Sequence, residues 1–117
     1  MRTLLQRKGD PAMAISDRYR EITREVDFLL GDLRTQGLDE GQGARKVARA
    51  LKILQESLER VGEIPRMRLE ADLTPILISA HKQLDWARLQ FEEEKEPARA
   101  AAVWDLEQKV YRLLNDL

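Results

Sequence analysis

The chain contains no cysteine. That excludes a disulfide framework, a thiolate zinc site, an iron–sulfur cluster and a thiol nucleophile, and it fits a reducing compartment, so a cytoplasmic location is expected. Aromatic residues are only 5 % of the 117 positions and there are six glycines and four prolines, too few for the turn-rich pattern of a β-sandwich or barrel. No apolar run approaches the roughly 18 to 20 residues of a membrane-spanning helix. The opening "MRTLLQRKG" has too short an apolar centre for a secretory signal, and no membrane contact is expected. Neither sign of charge dominates: 20 Lys and Arg face 21 Asp and Glu, a formal net charge of −1. No global field therefore holds the chain on nucleic acid, and any electrostatic contact has to be local.

What the chain does have is charge and aliphatic residues in register. Charged residues make up 35 % of it, and between them apolar side chains recur every three or four positions, the period of an amphipathic helix. Asp10-Pro11 reads as a cap followed by a ring that fixes φ at the first helical position. A first helix follows, with Ile15, Tyr19, Ile22, Val26, Leu29 and Leu33 on one stripe. "TQGLDEGQG" breaks it. A second helix starts near Glu40 or Ala44 and runs to Val61, with Ala44, Val47, Leu51, Leu54, Leu58 and Val61 as its stripe. Thr74-Pro75 repeats the cap-then-proline signal and predicts a third helix from Pro75 to about Glu94, carrying Ile76, Leu77, Ala80, Leu84, Ala87 and Phe91. Pro97 argues for a break near Lys95 rather than one long kinked helix. A fourth helix then carries Val103, Leu106, Val110, Leu113, Leu114 and Leu117, with Trp104 and Tyr111 on its flank.

Four amphipathic helices on short links predict an all-α fold, a four-helix antiparallel bundle, with a short extra helical turn between helices two and three at about Met67 to Leu73. The domain is expected over residues 11–117, preceded by a flexible N-terminal segment, 1–10. "GDPAMAISD" reads like a junction, with Met13 as an alternative start. The main architectural rival is a self-associating helical hairpin built on helices one and four.

His81, the single histidine, is the first candidate for chemistry, since an imidazole can act as base, ligand or phospho-acceptor. It sits about 80° from the centre of its stripe, on the shoulder of the core. Histidine phosphotransfer domains resemble the chain in size and architecture, but their motif puts lysine three positions after the histidine, and here the order is His81-Lys82-Gln83-Leu84. A ferritin-like site needs Glu-x-x-His pairs, and Ile78 stands where the glutamate would be. "FEEEKE" clusters acids without the inward spacing that binding needs. "GLDEGQG" lacks the Lys-Ser/Thr of a phosphate loop, and no triad pattern surrounds Ser16, Ser57 or Ser79. The expectation is a non-enzymatic protein with no metal, no cofactor and no small-molecule substrate.

Two surface features stand out from this background. On helix three, Ile78, Trp86 and Leu89 fall at about 140°, 220° and 160° from the stripe, a second apolar face. Either a neighbouring helix covers it or it is a contact surface, with Trp86 as anchor, because clustered exposed apolar groups and tryptophan are favoured where proteins bind. On helix two, Arg45, Arg49 and Lys52 share the side opposite the stripe, and Gly41 to Gln55 holds no acid. That basic face suits an acidic protein surface or phosphates; without interleaved aromatics, nucleic acid is not the expected partner. Phe28 and Ile53 are single off-stripe residues of an ordinary kind.

The segment "YREITREVDFLLGDLRTQGLDEGQGARKVARALKILQESLE", within Tyr19 to Val61, resembles the end of a BAG domain, the helical cofactor of Hsp70 chaperones. The likeness lies in its Gly-containing turn and in "ARK" ahead of a leucine-spaced helix. Two features depart from that pattern: Arg34 stands where an acidic residue is usual, and the turn spacing differs. The resemblance implies a chaperone cofactor. The residues by themselves point to a helical protein–protein interaction module, a homo-oligomer or adaptor subunit, that docks through helix three. A nucleic-acid-associated helical protein and a phosphotransfer-like signalling bundle are the remaining alternatives.

Overall fold

The computed structural model describes residues 11–117, with side chains from Ile15 onward; the expectations for segment 1–10, for an Asp10 cap and for Met13 lie outside the described residues or side chains. Four helices follow in order: α1 (Pro11–Thr35), α2 (Gln42–Gln55), α3 (Leu69–Glu93) and α4 (Pro97–Asn115). Two short 3₁₀ turns, Val61–Glu63 and Arg66–Arg68, link α2 to α3. Among the described residues there is no strand. The bundle is antiparallel. Along α1 and α4, Arg18 pairs with Asp116 at 2.7 Å, Glu25 with Lys109 at 2.6 Å, and Gln36 with Arg99, so one helix descends as the other rises. α3 packs extensively against α2 on one side and α4 on the other, and α1 closes the ring against α2 and α4.

The predicted stripes form the core, with a few corrections. On α1 it is Leu30 rather than Leu29 that is buried between Val26 and Leu33. Ile76, Leu58, Leu114 and Leu117 only pack against the core's edge. α2 stops at Gln55 instead of Val61. The buried Tyr19 hydroxyl donates to the Leu54 carbonyl at 2.7 Å. The Leu58 N–H, which an α-helix would direct to that carbonyl, turns to Gln55 instead at 3.2 Å, and the chain tightens into three-residue turns.

α3 starts at Leu69, six residues before the expected Pro75, which lies inside it on the exposed side. Proline removes a helical hydrogen bond and crowds the carbonyl four residues back. Leu69 and Leu73 outweigh this: they continue the Leu77–Ala80–Leu84 stripe by one more turn each and are buried. At the other end the chain does break at Lys95, with φ 59°. The Glu96 N–H reaches the Phe91 carbonyl at 2.8 Å and the Lys95 N–H the Glu92 carbonyl at 3.1 Å, closing the helix through a left-handed residue. α1 ends the same way at Gly37, φ 72°, where glycine carries no steric penalty.

Candidate functional site

α3 carries the apolar candidate face and His81, and α2 carries the basic one. The inward stripe of α3 is buried apart from Ile76, while on the opposite side Ile78 is 50 %, Trp86 45 % and Leu89 47 % exposed. Among the described residues no other helix covers this second face. From Ile78 to Leu89 it runs about 16 Å along the axis, with Lys82 exposed between them. Lys46 from α2 lies over the Trp86 ring, 4.8 Å from its centroid, a cation–π contact that fixes the indole while leaving its outer side open. Gln42, Lys46, Trp86, Leu89 and Glu93 line a shallow depression between α2 and α3.

Arg45, Arg49 and Lys52 stand exposed on α2, and among the described residues no carboxylate lies within 4 Å of them. The basic and apolar faces are therefore neighbours, joined where Lys46 meets Trp86.

The sequence reading missed a third feature. Glu107 on α4 is completely buried. Three α3 side chains meet it. Arg88 donates through Nε to Oε2 at 3.2 Å, Asp85 is held by the same guanidinium at 2.7 Å, and the His81 Nε2 lies 3.8 Å from Oε1. His81, Asp85 and Arg88 come together because spacings of four and three put them within about 60° of one another on the α3 flank that faces α4. Arg88 also binds Glu92 at 2.8 Å and stacks over Trp104, 5.2 Å from the ring centroid. Trp104 and Tyr111, three before and four after Glu107, stand on the same flank of α4.

Burial is the largest influence on Glu107, and with Asp85 beside it pushes its pKa up to about 7 against the opposing pull of Arg88. The hydrogen bond from Arg88 holds Asp85 below its usual range, and that bond in turn raises Arg88 further. Within this cluster one atom remains unmatched. Glu107 Oε1 is buried and accepts no hydrogen bond. A polar side chain between two aromatics in an amphipathic helix was the available signal, but Glu107 lies beside the stripe, and only the packing of α3 on α4 buries it.

Among the described residues no three His, Asp or Glu side chains converge as a metal-binding group, and no helix is long and apolar enough to cross a membrane. No protein-family model matches the chain, and no curated protein or solved structure matches it either, so the resemblance of Tyr19–Val61 to a BAG domain draws no support from them.

Proposed function

We propose that the chain is a non-catalytic helical interaction module that pairs with a second copy of itself through the outer face of α3. The observation that carries this reading is the half-exposed row of Ile78, Trp86 and Leu89, opposite a stripe already buried in the bundle. A second copy is favoured because the row complements itself when run antiparallel. Ile78 then meets the other copy's Leu89, and Lys82 meets its Trp86, an aliphatic pair and a cation–π pair each made twice about a two-fold axis. Antiparallel helices also place each acidic α3 end, Glu92 and Glu93, near the other's N-terminal half, the favourable sense of the dipole.

Covering the exposed half of each side chain is worth roughly 1 kcal/mol apiece, six times over in a two-fold pair. Association itself costs at least about 4 kcal/mol. The dimer is therefore weak and concentration-dependent. Arg45, Arg49 and Lys52, at the edge of the same face, supply a second, electrostatic contact for an acidic surface.

Light scattering of the purified chain over a concentration series tests the proposal. Wild type is expected to rise toward twice the monomer mass, and Trp86→Glu to remain a folded monomer by circular dichroism. A wild type that stays monomeric throughout, or a Trp86→Glu variant that dimerises equally well, overturns it. A salt-sensitive shift with single- or double-stranded nucleic acid, lost in Arg45→Glu plus Arg49→Glu, would assign the basic face to phosphates instead.

A further inference from the structure

We propose that His81 is the moving part of a proton-operated latch between α3 and α4: when Glu107 ionises, the imidazole swings inward and donates its Nε2–H to Oε1, and when Glu107 is protonated the ring is released toward solvent. This stands apart from the dimer reading and rests on the geometry of the buried cluster. Oε2 is already bound by Arg88, but Oε1 has no donor and no water-facing surface. A neutral carboxyl tolerates that position, whereas a buried carboxylate with an empty acceptor costs a few kcal/mol in general. One donor is in reach. The His81 Nε2 is 3.8 Å away, about 1 Å too far for a hydrogen bond, and the side chain keeps 32 % of its surface on the solvent side.

Asp85 is the charged group that competes, because it shares a side-chain hydrogen bond with Glu107 while that carboxyl keeps its proton, and it has no proton to donate once Glu107 ionises. From α3 the groups facing Glu107 are His81, Asp85 and Arg88, and Arg88 is committed to Asp85, Glu92 and Oε2. From α1, the other helix against α4, Glu25 pairs with Lys109 about 200° around α4 from Glu107, and Arg18 pairs with Asp116 at the far end. On α4 itself Asp105 is exposed. In the ionising step the Glu107 O–H bond breaks, the proton leaves to solvent water and the electron pair stays on the carboxylate. In the latched state the Nε2–H stays on the imidazole and is only shared as a hydrogen bond.

His81 is the only histidine, so its ring gives a single set of signals in the intact chain. The experiment is ring nitrogen–proton NMR across a pH series on wild type, Glu107→Met and Asp85→Asn. Above neutral pH the wild-type ring is expected in its Nε2–H form, with that proton exchanging at least about tenfold more slowly than in Glu107→Met, as a single added hydrogen bond requires. Below the transition the protection is lost. Asp85→Asn removes the neighbouring negative charge, so the change moves to lower pH. An unprotected Nε2 proton above neutrality, or protection unchanged in Glu107→Met, overturns the proposal. Should that variant fail to fold, a wild-type transition that stays in place in Asp85→Asn overturns it equally.

Discussion

Glu107→Gln is the most informative single substitution for the energetics of this fold. In the native bundle the Glu107 carboxyl holds its proton up to about pH 7, against an ordinary value of 4.5 in the unfolded chain. Between those limits the native state binds a proton that the unfolded state has lost, so stability falls as pH rises. The contribution of neutral Glu107 is complete below about pH 4.5 and gone above about pH 7. That separation corresponds to roughly 3 kcal/mol. A hydrogen bond from His81 to the ionised form returns about 1 kcal/mol of this, so a loss of 2 to 3 kcal/mol is expected.

Glutamine keeps the shape and cannot ionise. Urea unfolding at intervals from pH 4.5 to 8 is the assay, with the wild-type curve expected to drop by that amount relative to Glu107→Gln. In thermal melts the gap is roughly 10 °C at pH 8 for a domain of this size. At the acid end the gap closes, because Glu107 is then as neutral as the amide that replaces it. Profiles that run parallel within about 0.5 kcal/mol would refute the reasoning, and with it the claim that burial controls this carboxyl.

Four further outcomes follow from the packing. Gly31→Ala in α1 meets nothing within 4 Å and is expected to stabilise by about 0.5 to 1 kcal/mol through helix propensity. Gly43→Ala in α2 gains the same propensity but would set its Cβ 2.7 Å from the Phe91 ring, so a net loss of about 1 to 2 kcal/mol is expected in chemical denaturation. Tyr19→Phe leaves the Leu54 carbonyl without its hydroxyl donor and costs about 1 to 2 kcal/mol; it also removes a phenol that burial has pushed up to about 12. Lys95→Gly relieves a left-handed residue at the end of α3 and is expected to raise the melting temperature, by up to about 1 kcal/mol of stability net of glycine's entropy.

Most of the architecture was legible because helix period is a local property. The three-and-four spacing of apolar residues identifies which side of each helix is buried, and Ala44, Val47, Leu51 and Leu54 on α2 lie where that spacing puts them. Pro97 and the glycines after Thr35 mark real ends, since ring geometry and positive φ act within a few residues. Two boundaries were decided elsewhere. α2 ends early because Tyr19, 35 positions upstream, takes the Leu54 carbonyl. α3 begins early because Leu69 and Leu73 find a core to enter, which outweighs a proline inside the helix.

The sequence by itself determined a helical chain with four stripes, a basic side on α2 and an excess of apolar residues on α3. It could not say whether Ile78, Trp86 and Leu89 are covered, because coverage depends on where neighbouring helices sit; among the described residues the fold places α2 and α4 beside α3 and leaves that face half exposed. Nor could it single out Glu107. A glutamate on the shoulder of a stripe is ordinary in a surface helix, and only the docking of α3 onto α4 withdraws it from water and brings His81, Asp85 and Arg88 against it. Periodicity fixes which side of a helix faces inward, whereas desolvation and charge coupling act between residues distant in the chain, and so only the tertiary structure decided them.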